Sequence, residues 1–226
     1  RSTVTFFSDQ GAAYVLRVDD VPSTTGYGDP IQKHFRFSDG ERVVGVSTSD
    51  SRGRPAVPEP EPDAEPSEAA PHGVALTRFG RIIRFSLSSH AEVSQRSGRR
   101  YARVAKGDRV LRVLPSAGHE HASIATRGGN ALAFPVAEVG ILKGAGKGVT
   151  GIKLKPGDEV LAYDLVGELS AGVEVTTTRG REVVVSPKRY GGSRAGRGQA
   201  VMKRGGFQDW APPLERLDLI FGQGEE

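Results

Sequence analysis

The amino-acid sequence predicts an all-β array of about four propeller-like blades of roughly 50 residues each, and three observations carry that prediction. A turn of the form Ser or Thr, two residues, then Gly recurs at Ser8 to Gly11, Thr77 to Gly80, Thr126 to Gly129 and Thr177 to Gly180, at glycine intervals of 69, 49 and 51. Two further landmarks keep step with it. A loop glycine follows 17 to 19 residues later, at Gly28, Gly98, Gly148 and Gly198. An apolar residue, two others, Gly and an acid run from Phe37 to Glu41, Val104 to Asp108 and Leu154 to Asp158, decaying to Met202 to Gly206 in the fourth unit. Finally, the flanking segments alternate apolar and polar residues as half-buried strands do, and no segment shows helical periodicity.

Taken in order, the first unit (1–50) reads as strands from Thr3 to Phe7, Ala13 to Val18, Ile31 to Phe37 and Arg42 to Val46. Residues 51–72 break the pattern. Six prolines and five acids in 22 positions, with no aromatic residue, cannot offset ordering entropy by burial, so the segment reads as a disordered or polyproline-like insertion. Removing it reduces the first interval from 69 to 47, which places it between consecutive units of one array rather than between two domains. The second and third units fill 73–118 and 122–170. The fourth, 172–208, reads as a β-branched run from Val173, the turn Thr177 to Gly180, a strand from Glu182 to Ser186, a loop of glycines and cations, and a strand from Gln199 to Met202. Pro212-Pro213 stops any strand in the tail (209–226), with Leu214 to Phe221 packing back on a blade and Trp210 as anchor. Residue 1 falls beside a strand, so the chain reads as a piece of a longer protein.

Charge is distributed unevenly. The total is +4, but residues 74–116 carry ten Arg and Lys against Glu92 and Asp108, and residues 173–206 carry eight against Glu174 and Glu182. Residues 1–50 are net −2, the insertion −3 and the last twenty −4. Zero cysteines exclude disulfides and thiolate metal sites. No run approaches the roughly 18 apolar residues of a membrane span, and the start lacks a signal-peptide core. A soluble, cytoplasmic protein is expected.

The quoted turns and loops, with FFSDQGAAYVLRVDDVP, GYGDPIQKHFRFSDGERVVGV and TTTRGREVVVSPKRYGGSRAGRGQAV, resemble blades of the C-terminal domain of the A subunit of bacterial type IIA topoisomerases, gyrase and topoisomerase IV. The resemblance covers all four units. It implies a single β-pinwheel domain, a disc whose blades exchange strands, with duplex DNA bent around a basic rim largely independently of sequence. It also implies the cleavage core of the same polypeptide and an ATPase B subunit as partners. The box that the resemblance implies for gyrase, Gln-basic-basic-Gly-Gly-basic-Gly, is imperfect here: Gln95 to Arg100 keeps the glutamine, the cations and one glycine, and Ser193 to Gly198 keeps the cations and both late glycines without the glutamine. Topoisomerase IV is favoured on that departure.

Cations on short glycine-rich turns let side chains and backbone N–H groups meet phosphates without reading sequence. The candidate contacts are Arg78, Arg81, Arg84, Arg96, Arg99, Arg100 and Arg103; Lys143 and Lys147; and Arg179, Arg181, Lys188, Arg189, Arg194, Arg197, Lys203 and Arg204. Neither a catalytic site nor a cofactor is expected. LKGAGKGVTG fails the P-loop spacing, with Ile141 where the first glycine belongs and Gly148 after Lys147. His119-Glu120-His121 lacks a third strong metal ligand and reads as an exposed turn. His34, His72 and His90 are scattered, and Phe6, Phe7, Phe79, Phe85 and Phe134 read as core. None of the five tyrosines lies in the context of the family's cleavage tyrosine. The rival expectation is a propeller-like scaffold for a protein partner.

Overall fold

The computed structural model describes residues 2–53 and 71–210. Unit 1 supplies β1 (Thr3–Ser8), β2 (Ala12–Arg17) and β3 (Val43–Thr48). Unit 2 supplies β4 (His72–Thr77), β5 (Arg81–Ser86), β6 (Arg99–Arg100) and β7 (Val110–Ser116). Unit 3 supplies β8 (His121–Thr126), β9 (Asn130–Pro135), β10 (Ile141–Leu142), β11 (Val149–Thr150) and β12 (Val160–Val166). Unit 4 supplies β13 (Val173–Thr176), β14 (Glu182–Val185) and β15 (Gln199–Ala200).

The wiring repeats. In each of the first three units the first strand pairs with the second across the Ser/Thr-x-x-Gly turn, and on its other edge with the unit's last strand. The remaining edge is completed by the next unit: β6 pairs with β2, β10 and β11 with β5, and β15 with β9. Each unit therefore lends backbone to the blade before it, the strand exchange of a β-pinwheel, and the all-β pinwheel expectation is borne out. Among the described residues unit 4 keeps only the β13–β14 hairpin, extended by a bridge from Thr177 to Phe207.

Twelve of the thirteen glycines with positive φ are the three landmarks of the four units, the other being Gly118, so the sequence period marks backbone need rather than composition. The turn carbonyls of the first three units are used in the same way. Gly11 O accepts from Tyr101 and Ala102 N–H, Gly80 O from Gly151 and Ile152, and Gly129 O from Val201. The acid of the third landmark ties one end of its unit together: Asp108 Oδ1 accepts from Phe79 N–H (3.0 Å) and Asp158 Oδ1 from Gly128 N–H (2.7 Å). Gly206 stands there in unit 4, and its carbonyl takes the Thr178 N–H.

The core lies between successive blades. Phe7, Ile83, Phe85, Tyr101 and Val113 fill the space between units 1 and 2; Leu76, Ile82, Ile124, Phe134 and Tyr163 fill that between units 2 and 3; Val173, Val175, Val183, Val185 and Tyr190 pack unit 4 on unit 3. Each such side chain contributes roughly 1.5–3 kcal/mol by leaving water.

Four expectations change. Ile31 to Phe37 is not a strand: Ile31–Lys33 is a 3-10 turn, and Pro30, which has no N–H to lend, precedes it. Ile31, Phe35 and Phe37 instead cover unit 1's own face against Tyr14 and Leu16. The Gln199 to Met202 strand is shortened to two residues. Phe79 leaves the core for the tip of a turn, 48% exposed. Pro187–Tyr190 forms one helical turn with proline at its start. The central part of the 51–72 insertion and the Leu214 to Phe221 reading lie outside the described residues; Ser51–Gly53 is a 3-10 turn and His72 already belongs to β4. Trp210 packs on the unit 3–4 core with Arg112 over its ring.

Candidate nucleic-acid interface

The lending loops form the candidate interface. Each crosses directly over the second strand of the preceding blade, which leaves no room for a side chain. A Cβ on Gly98 would lie 2.8 Å from the Tyr14 ring, and one on Gly198 2.5 Å from Ala131 O; one on Gly148 would collide with Ile82 O. Neighbouring loops are then joined by the same backbone bond. Arg36 N–H donates to Arg96 O (2.7 Å), Arg103 N–H to Gly146 O (2.9 Å) and Lys153 N–H to Gly196 O (2.8 Å). Three equivalent bonds chain four loops into one stripe.

Exposed cations ride on this stripe: Arg96, Arg99, Arg100 and Arg103 from unit 2, Lys143 and Lys147 from unit 3, and Arg197 from unit 4. Arg36 and Lys153, absent from the candidates above, belong with them. Both are exposed and occupy the position of Arg103, one residue before the apolar residue of the third landmark. Aligning units on that landmark would have found them.

Two candidates hold the stripe rather than extend it. Arg81 reaches across to Lys147 O, Gly148 O and Thr150 Oγ1, and Arg194 donates to Glu138 O (3.0 Å) and Thr150 O (2.9 Å). Arg78 is half-buried at a turn, against Glu159 (3.5 Å) and over the Phe79 ring. Arg84 is a correction. It is 9% exposed and donates to His72 Nδ1 (3.2 Å) and Val139 O, and burial lowers its pKa against a smaller opposing pull from Glu120. A phosphate contact needs an exposed guanidinium, but a blade sandwiched between two others buries both faces of its central strands. The remaining candidates are exposed in unit 4. Arg179, Lys203 and Arg204 gather where the Thr178–Gly206 bond joins two turns, Arg181 lies at the β14 edge, and Lys188 and Arg189 sit on the helical turn.

The His-Glu-His run serves the backbone. Glu120 accepts from Ser116 Oγ (2.6 Å), Ala117 N–H and Gly118 N–H, and those hydrogen bonds outweigh burial to hold its pKa low. His119 is exposed, as expected, while Glu120 and His121 are half-buried. Among the described residues no group of three or more His, Cys, Asp or Glu is placed to hold a metal ion.

Comparison with known proteins follows this geometry. The profile of the family described as DNA gyrase C-terminal domain, beta-propeller, matches residues 3–50, 74–117 and 122–162. The DNA gyrase A subunits of Aminobacterium colombiense and Rickettsia prowazekii are 28% and 27% identical over 71% and 75% of this chain, which spans 18% of either relative. Among solved structures, the C-terminal domain of DNA topoisomerase IV superposes with a TM-score of 0.75 at 19% identity, over 91% of this chain and 61% of that one. The E. coli ParC C-terminal domain gives 0.69 at 15% identity, over 92% and 80%. The DNA gyrase A C-terminal domain gives 0.62 at 16%, over 91% and 63%. With more than half of its residues inside the profile match, the chain belongs to the DNA gyrase C-terminal domain family of type IIA topoisomerase A subunits.

Proposed function

We propose that this chain binds duplex DNA along the loop stripe, bends it, and presents it to the cleavage core of its parent topoisomerase in the bacterial cytoplasm, without catalysing a step itself. The observation that carries this is the backbone chain from Arg36 through Arg96, Arg103 and Gly146 to Lys153 and Gly196, which sets exposed cations from successive units on one continuous track. Such a track suits a polyanion held by its phosphates, independently of sequence. Bending a site of 20–30 base pairs costs on the order of 1–6 kcal/mol, so contacts must be many and distributed, as these are. The imperfect box at Gln95 to Arg100, with Ser97 in place of a basic residue and Arg99 in place of a glycine, favours the topoisomerase IV branch. The cleavage core of the same polypeptide and the ATPase subunit are the protein partners of this reading.

The test is duplex affinity over a salt series. About six neutralised phosphates give a log–log slope near −5, and charge reversal of Arg96, Arg99, Arg100 and Arg103 should lower affinity at least about a hundredfold at low salt and flatten the slope. A salt-independent interaction, or one indifferent to these arginines, would sink the DNA reading and point to a protein partner.

A further inference from the structure

A groove of about 700 Å³ lies between the turn of blade 2 and the third landmark of unit 3, with Phe79, Ile152 and Leu154 as its apolar lining. The repeat does not require that lining. The residue at the tip of the turn is Gln10 in blade 1, Gly128 in blade 3 and Arg179 in blade 4, and only blade 2 sets a large apolar side chain there, 48% exposed. The matching cleft between units 1 and 2 has Gln10 and Arg109 where this groove has Phe79 and Glu159. A ring left half in water forgoes burial free energy, so a covering apolar group is favoured. The charges of the groove are one-sided. Its acids are already engaged: Asp158 accepts from Thr126 Oγ1 (2.8 Å) and Gly128 N–H (2.7 Å), and Glu159 from Arg127 Nε (3.0 Å). Lys153 and Arg197 also line it, and neither side chain has a hydrogen bond or ion pair among the described residues. The groove therefore suits an apolar segment that carries carboxylates.

The chain brings such a segment to its edge. Phe207 N–H donates to Arg127 O (3.2 Å), and Asp209 Oδ1 accepts from Arg127 Nη1 (2.7 Å), the same arginine whose Nε is held by Glu159 in the groove wall. The described residues end one position later, at Trp210. Beyond it stand Leu214, Leu217, Leu219, Ile220 and Phe221, interspersed with Glu215 and Asp218. From Trp210 the chain can reach as far as Phe221 over at most about 40 Å, whereas one arginine and one glutamate side chain separate Asp209 from the groove. We propose that the 214–221 segment of this chain docks in the groove, its apolar side chains covering Phe79 and Leu154 and its carboxylates facing Lys153 and Arg197. The docked segment staples the end of unit 4 back across blades 2 and 3. Tethering through Asp209 favours this occupant over a free partner, since a short linker holds it at an effective concentration of roughly millimolar. The inference does not rest on the DNA reading.

The chain has no cysteine, so a nitroxide can be placed on Gln223→Cys alone, just past the segment. In the isotope-labelled whole chain without DNA, the amide signals of Phe79 and Gly157 should be broadened almost to loss and return when the nitroxide is reduced, while those of Gly26 and Tyr27 in the unit 1 loop stay sharp. Leu217→Ser/Phe221→Ser and Phe79→Ser should each lower the ratio of docked to undocked chain at least about tenfold and restore the signals. Lys153→Glu/Arg197→Glu should lower it severalfold. A thermal melt of each variant checks that the blades stay folded, and the tail variant alters no blade residue. Signals at Phe79 and Gly157 no weaker than those at Gly26, or equally weak in both serine variants, overturn the proposal. So does broadening in a mixture of isotope-labelled chain lacking the nitroxide and unlabelled chain carrying it, which would put a second copy's tail in the groove. Because no duplex is present, either outcome leaves the track reading untouched, and a failure of duplex binding leaves the docking result standing.

Discussion

At the scale of single residues, His90 shows what burial does to a titratable group in this fold. Its surroundings are aromatic, and that burial, reinforced by repulsion from Arg99, lowers its pKa from 6.5 to about 4. The folded state therefore refuses a proton that the unfolded chain accepts. Stability is independent of this residue above the unfolded value near 6.5, falls as pH drops from there to about 4, and loses on the order of 3 kcal/mol across that window. His90→Phe keeps an aromatic ring in the cluster and removes the proton linkage. Urea unfolding at several pH values should show a shallower decline between pH 6.5 and 4 in the variant; parallel declines would mean that His90 titrates normally. Nothing in the sequence around SLSSHAEV marks this histidine, because Phe7, which packs edge-on to it, lies in another unit far upstream.

At the scale of elements, the lent strand joins one blade to the next, and the glycines separate its two requirements. Gly148 and Gly107 both have positive φ (64° and 81°), yet an added Cβ meets nothing within 4 Å at Gly107 and runs into Ile82 O at Gly148. Gly107→Ala should thus cost only the left-handed backbone term, about 1–2 kcal/mol. Gly148→Ala adds a backbone collision and should cost more than about 3 kcal/mol while loosening unit 3 from unit 2. Denaturant melts with hydrogen exchange at Gly151 and Ile152, which donate to Gly80 O, would register this; equal costs at the two glycines would remove the crossing from the account. The sequence made these elements legible to different degrees. Landmark glycines were readable because a positive φ excludes most other residues, so the need repeats wherever the turn does. The lending was not readable from the residues, since a two-residue strand such as β6 has no periodicity and its partner β2 is nearly ninety residues upstream. It came from the family resemblance alone. Ile31 to Phe37 misled for the same reason: its apolar residues suit a strand, but only tertiary context shows that they fold over their own blade.

At the scale of the molecule, cations and fold are out of phase. Four loops are chained into one stripe, but the first carries Asp19, Asp20 and Asp29, all exposed, where the others carry arginine and lysine. Despite Arg36 and Lys33, unit 1 thus has the geometry of the track without its net positive charge, as the net −2 of residues 1–50 against the strongly basic second and fourth units implies. Bound duplex should run from unit 4 to unit 2 and lift away at unit 1, giving a partial bend. Asp19, Asp20 and Asp29 lie on surface loop positions where substitutions usually change stability by less than about 0.5 kcal/mol, so charge can be altered there without unfolding the blade. Replacing all three with lysine should extend the track. Affinity for long duplexes rises, the log–log salt slope steepens by about 0.9 for each phosphate gained, and the shortest duplex bound at full affinity becomes longer. Short duplexes already accommodated by units 2 to 4 gain little. Gel shifts over a ladder of duplex lengths, with bending followed by energy transfer between end labels, separate the two length classes. An equal gain at every length would mean that the lysines act through net charge alone, and that the stripe does not guide the path of the DNA.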